Sequence, residues 1–282
     1  MDRRTYTLGY HLVAFIDVLG QRERFRELRM PKSPEGHAGV AEVLRHTAGF
    51  VVQMRELFQR NFAAFEKGIS KERLNIKCSV QPRFVGFSDS FVVSVPLRKD
   101  QGDLVPILSI FSALWAASVL ILTAFQSRHA LRGGIDVGLA TEIGPAEIYG
   151  TALEQAYLLE SRRAVYPRIV IGSGLRTYLS AVVEEFEKHS SANGIQSVIE
   201  KLTRLISTDA DGEDILDYLG PIAAELINPS EIATLVQPAY QFVTDECQRL
   251  TLVGDDKLMQ RYSLLRSYFE SRLPQFGIAT RR

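Results

Sequence analysis

Asp17 closes an apolar run, HLVAFIDV (11–18), three residues before Gly20. Asp89 stands between Ser88 and Ser90, where two aromatic and β-branched runs meet in RFVGFSDSFVVSV (83–95). Runs of that composition read as strands, and the polar triplet between them as a tight turn. Both carboxylates therefore fall at strand ends. If the first strand lies beside the hairpin, they share one end of a sheet whose neighbouring strands are about 4.8 Å apart. Two bare carboxylates that close repel each other. A divalent cation with oxygen ligands at about 2.0–2.1 Å is the natural occupant. The plainer alternative is that each aspartate only ends its strand, since aspartate is common in turns.

The elements that must hold this pair come in order along the chain. Strand one covers about 11–18. An arginine-bearing loop, 19–34, leads into an amphipathic helix over about 38–67, with Val43, Phe50, Val51, Met54 and Phe58 at helical spacing. Strands two and three, about 75–87 and 91–95, form the hairpin. An uncharged helix comes next, then strand four from Leu131, where Gly133 and Gly134 permit close approach. A short run at 146–149 closes a second hairpin. Gly150 opens a helix that ends before Pro167, and strand five covers 168–171. The order β-α-β-β-α-β, continued by hairpin, helix and strand, predicts an α+β fold with a ferredoxin-like core. Helical patterns dominate after Gly172. The stretch STDADGEDILDY (207–218) has an EF-hand-like start but Gly220 where the twelfth-position glutamate belongs, so it reads as a polar turn.

Composition narrows the function. The chain of 282 residues carries 33 basic and 33 acidic side chains. That balance argues against a general nucleic-acid binder, including an RNA-binding ferredoxin-like domain. Cys78 and Cys247 belong to no metal-ligand spacing or disulfide framework, and the N-terminus lacks a signal-peptide apolar run, which together suit the cytoplasm. Residues 104–125 are free of charge and long enough to span a bilayer. Strand-like runs enclose them closely, so a buried helix is expected, covered by the sheet on one side and by a second subunit on the other.

Three stretches in order carry a resemblance: FIDVLG at 15–20, GFSDSFVVSV at 86–95, and RGGIDVG, IYGTALEQAYLLE and YPRIVIG across 132–172. They resemble the class III nucleotide cyclases and, within them, are similar to the pyrimidine nucleotide cyclases of bacterial anti-phage (Pycsar) systems. The resemblance implies a class III catalytic domain over 1–185; residues 186–282 carry none of its motifs, and their helical patterns predict a mainly helical C-terminal extension packed on that domain. It implies conversion of UTP or CTP to a 3′,5′-cyclic monophosphate and pyrophosphate. Two Mg²⁺ or Mn²⁺ ions would be held by Asp17, Asp89 and the carbonyl of Val18, and the active sites would lie between the subunits of a homodimer. The product would be read by a separate cyclic-nucleotide-binding effector. The loop after strand one would take the β- and γ-phosphates at Gly20, with Arg22 and Arg24 beside it.

The chain departs from that family's pattern at instructive places. Counting four and eight residues from Gly150, the usual asparagine and transition-state arginine are replaced by Glu154 and Leu158. Arg162, a helical turn beyond Leu158, is the expected substitute; Arg163, Arg168 and Arg132 are further candidates for binding substrate or its leaving group. Val85 stands where a purine-reading lysine would lie, and Glu147 occupies the acidic base-reading position. A carboxylate only accepts hydrogen bonds, so it suits N3–H of uracil or N4–H of cytosine without choosing between them. The rival readings are a purine (adenylate or guanylate) cyclase and an inactive nucleotide-binding sensor of the same fold.

Overall fold

The structure is a computed structural model that describes residues 8–21, 33–69, 80–97, 105–144, 147–189 and 193–279. Strand β1 (Leu8–Val18) leads to α1 (Pro34–Ile69), the hairpin β2 (Arg83–Phe87) and β3 (Ser90–Pro96), α2 (Val105–Gln126) and β4 (Leu131–Gly144). Strand β5 (Glu147–Gly150), helix α3 (Thr151–Leu158) with a π-helical turn at Leu159–Arg163, and β6 (Ile169–Ile171) come next. The C-terminal part holds α4 (Ser173–His189), α5 (Asn193–Thr203), β7 (Ile206–Thr208), β8 (Asp214–Leu216), α6 (Pro221–Leu226), a lead-in over Pro229–Val236, α7 (Gln237–Val253) and α8 (Asp256–Arg272).

The strands form one sheet in the order β2-β3-β1-β4-β6-β8-β7, with β5 paired to β4. β1 lies antiparallel between β3 and β4. The first four strands thus have the 4-1-3-2 arrangement of a ferredoxin-like core, as the element order predicts. Side-chain alternation then divides β1 between two faces. Leu12, Ala14, Ile16 and Val18 enter the main core, whereas Val13 joins Val92, Ala140, Ala152 and Ala156 under α3. Gly134 makes that second face possible: a Cβ there would stand 2.3 Å from the Ala156 carbonyl oxygen.

Helix α1 packs only along its C-terminal half, through Phe50, Val51, Met54, Phe58 and Phe62; Leu44, two turns before Val51 on the same stripe, is exposed. Helix α2 is buried all round. Its Pro106–Gln126 segment is long and apolar enough to cross a membrane by length and composition, yet an 18-residue stretch of it is 83% buried within the fold. Its cover corrects the sequence expectation. The side opposite the sheet is closed by α1 and α7 of the same chain, not by a second subunit. Phe125 meets Phe242 and Phe269 with ring centroids at 6.1 and 5.8 Å, and Phe65 meets Phe111 at 4.7 Å.

The region after residue 186 is also more than helical. The stretch read as a polar turn is the β7–β8 hairpin, which pairs to β6 and extends the sheet. One hydrophobic core runs from Ile16 in β1 to Phe269 in α8.

Candidate active site

Antiparallel register brings the expected residues to one sheet end. Asp17 lies opposite Ser90 on β3 and opposite Arg132 on β4. Ser90 Oγ donates a 2.7 Å hydrogen bond to Asp17 Oδ1. The Val18 N–H donates to the Asp89 carbonyl oxygen at 3.1 Å, fastening the hairpin turn to the end of β1. Ser88 adopts φ 52° in this two-residue turn, the left-handed geometry that such hairpins demand. Asp89 is half-buried, and its carboxylate has no hydrogen-bond or ion-pair partner among the described residues. Asp17 is 8% exposed.

Two side chains adjust the charge around Asp17. Arg132 places Nε 3.4 Å from Asp17 Oδ2 and 2.5 Å from Glu160 Oε1. Glu160 is 3% exposed and comes from the π-helical turn after α3. A buried carboxylate is tolerable only when paired, and the Arg132 guanidinium meets both carboxylates at once. The shorter contact is to Glu160, so the arginine has an anchor independent of Asp17. Asp136, also on β4, is spent elsewhere: its Oδ1 accepts from the N–H groups of Val137 and Leu175 at 2.8 Å, at the start of α4. Burial pushes its carboxyl pKa up.

The other expected residues divide. Gly20 comes after β1 with φ 84°, a conformation that favours glycine. Arg22 and Arg24 lie outside the described residues. Arg162 is exposed and has no ion pair among the described residues. The π-helical turn spanning it bonds i to i+5 rather than i+4, so Arg162 does not repeat the face of Leu158 as an unbroken α-helix would require. Arg163 Nε donates to Glu213 at 2.6 Å.

Arg168 does not fit the role expected from the sequence. It is 1% exposed, pairs with Asp209 and Asp211 of the β7–β8 loop, and donates to the Arg163 carbonyl at 2.8 Å. Both terminal nitrogens of its guanidinium are engaged in latching the hairpin to the core, and it holds the Asp211 carboxyl below its ordinary pKa.

Glu147 is exposed and paired with Gly144, at the far end of β4 from Arg132. Twelve strand residues at about 3.3 Å each put it about 40 Å along β4 from the Asp17 end of its own chain. On the α3 side of the sheet, between those ends, an exposed apolar face surrounds a cavity of about 540 Å³ lined by Phe15, Phe87, Tyr149, Leu153, Glu154 and Tyr157. Tyr149 is 71% and Phe87 52% exposed.

No family model and no curated protein matches the chain. Solved structures that are similar include the adenylyl cyclase CyaB from P. aeruginosa, at 16% identity and TM-score 0.42, covering 64% of this chain and 83% of that one. A bacterial light-regulated adenylyl cyclase is 17% identical with TM-score 0.39, over 62% and 46%. A class III adenylyl cyclase-like ATP-binding protein from Pseudomonas aeruginosa is 14% identical with TM-score 0.41, over 72% and 47%. The chain spans less than half the length of the latter two.

Sequence reasoning missed Glu160 and Ser90. Ser90 was within reach of the strand-end argument, being the direct register partner of Asp17 once β1 and β3 are paired. Glu160 carries no such signal, because a helical glutamate reads as solvated until its helix is laid against β4.

Proposed function

We propose that the chain is a class III-type nucleotide cyclase converting UTP, or CTP, to the 3′,5′-cyclic monophosphate and pyrophosphate. The observation that carries this reading is the pairing at one sheet end of Asp17 with the Asp89 turn, through the Ser90 hydroxyl and the Val18 N–H. Asp17, Asp89 and the Val18 carbonyl offer only hard oxygen donors, a set suited to Mg²⁺ or Mn²⁺. Among the described residues no three or more His, Cys, Asp or Glu side chains form a closed metal cage. When bound, such ions supply an acidified ribose 3′-hydroxyl and a neutralised triphosphate.

The protein's own residues then have distinct tasks. Ser90 orients the Asp17 carboxylate. Glu160 retains Arg132 when Asp17 turns to its cation, which leaves the guanidinium available to phosphate oxygens. The Gly20 turn lets backbone N–H groups approach the phosphate chain. Arg162 does not share the face of Leu158, but as an exposed cation with no ion pair among the described residues it is the one assigned to charge developing on the leaving pyrophosphate.

Base choice is assigned to Val85, near the Asp17 end of the sheet, and to Glu147, remote from it. Val85 packs beside the small core under α3 and offers no cation to a purine. Glu147 accepts hydrogen bonds from uracil or cytosine; the preference for UTP comes from the resemblance. A separation of about 40 Å along one chain means that Glu147 and Asp17 serve one nucleotide only if they come from different subunits. The exposed Phe87, Tyr149 and Tyr157 face supports a homodimer with composite sites. A cytoplasmic location and an anti-phage role through a separate effector rest on the cysteine usage and on the resemblance. The second reading, a nucleotide-binding module without turnover, draws on Leu158 and on the contact of Arg132 with Asp17. Incubation with UTP and Mn²⁺ separates them: a cyclic product with released pyrophosphate supports the cyclase, whereas saturable UTP binding without pyrophosphate supports the module.

A further inference from the structure

A cavity of about 520 Å³ lies between the exit of β1 and the C-terminal helices. Its size is that of a small-molecule site. Gly20 and Gln21 line it together with Arg249 of α7 and Arg261 and Tyr262 of α8. Arg128, ahead of β4, also lines it. Asp17, Asp89 and Arg132 are not in its lining.

Among the described residues that line it, the unpaired charge is positive. Asp245 holds Arg128 at 2.9 Å, and Glu246, a lining carboxylate, holds Arg249 at 2.8 Å. Arg261 has no ion-pair partner among the described residues. Gln21 is 2% exposed, and its amide nitrogen has no hydrogen-bond partner among the described residues. Leaving a buried donor unmade costs about 1–3 kcal/mol, so an acceptor brought to Gln21 relieves a cost the fold already carries. An unmet amide N–H and an unneutralised guanidinium lining one cavity suit anionic oxygens. The volume far exceeds that of a phosphate group, and Tyr262 supplies aromatic wall against which a planar ring can pack.

We propose that this cavity binds a phosphorylated small molecule of nucleotide size, with its phosphate at Gln21 and Arg261. The cavity shares Gly20 with the phosphate loop of the cyclase reading, but its other walls come from the C-terminal helices and from the segments before β4 and β6, and the assignment does not rest on that reading. The site is built jointly by the β1 exit and by helices that no ferredoxin-like core requires, which gives the C-terminal extension a ligand of its own.

The test is calorimetric titration of the full chain with AMP and, in parallel, inorganic phosphate, in EDTA so that no divalent ion recruits phosphate to the aspartates. Saturable AMP binding, tighter than phosphate, is expected. Arg261→Glu should weaken it by about tenfold or more, the scale of one charge-assisted contact, and Gln21→Leu by a smaller factor. Asp17→Asn should leave it unchanged. Arg261→Lys, which keeps the charge, should stay within a few-fold of wild type and guards against a folding defect in the glutamate variant. Absence of saturable binding by both probes would overturn the proposal, as would AMP binding that survives Arg261→Glu and Gln21→Leu or that disappears in Asp17→Asn. Equal affinity for AMP and phosphate would overturn the nucleotide-sized part of it.

Discussion

Asp17 does two jobs that separate on mutation. It accepts from Ser90, and it carries the charge that Arg132 meets and that a cation would meet. Asp17→Ala or Asp89→Ala should lower cyclisation about a thousandfold or more, the loss expected when a catalytic metal loses its ligand; steady-state product formation, with circular dichroism to confirm folding, measures it. Arg162→Ala should lower kcat by about 10²–10³ with little change in KM, the scale for one preorganised donor. Arg168→Ala should instead act on stability. Its partners are partly solvated, Asp211 being 44% exposed, so about 1–3 kcal/mol is expected rather than the full cost of breaking a buried pair, read by urea denaturation. If Arg168→Ala folds normally and is catalytically dead while Arg162→Ala is active, the two assignments are reversed. The aspartates were legible in the sequence because strand ends are marked by where apolar runs stop. The fate of Arg168 was not: its partners lie more than 40 residues away in a stretch that reads as a turn.

Helix α2 shows the same limit at the level of elements. Its lack of charge announces burial on every side, yet composition cannot say what supplies the outer cover. Here α7 does, through contacts such as Phe125 with Phe242. Phe125→Ala should cost about 3–5 kcal/mol, and removal of α7 and α8 should leave the rest of the chain unable to fold; soluble, cooperatively melting residues 1–236 would contradict this. The π-helical turn at Leu159–Arg163 was equally illegible, since one extra residue per turn leaves no mark on periodicity. The β7–β8 latch has a pH signature. Hydrogen bonding from Arg168 lowers the Asp211 pKa, so the latch contributes its full stability above the ordinary aspartate pKa of about 3.9 and loses it as pH falls through the lower folded-state value. Melting temperature should therefore gain nothing from this pair between pH 5 and 8 and fall below about pH 4. Asp211→Asn should flatten that acid limb.

At the scale of the whole molecule, the ferredoxin-like order of strands was readable from alternating runs and helical stripes, whereas the continuation of the sheet into β8 and β7 was not. The geometry also replaces one argument for a dimer with another. Helix α2 needs no second subunit, but the Asp17 end and Glu147 stand too far apart to share a nucleotide within one chain. Mixing an Asp17→Ala protein with a Glu147→Ala protein should restore about a quarter of wild-type activity through heterodimers that keep one intact composite site. Tyr149→Glu, on the exposed face, should give monomers by sedimentation and lose activity. The most direct measurement is mass spectrometry of the products formed from UTP, CTP, ATP and GTP with Mn²⁺, run side by side on wild type, Asp17→Ala and Asp89→Ala. The expected result is a pyrimidine 3′,5′-cyclic monophosphate and pyrophosphate from wild type alone. No cyclic product from any of the four nucleotides, or equal product from either aspartate variant, would contradict it.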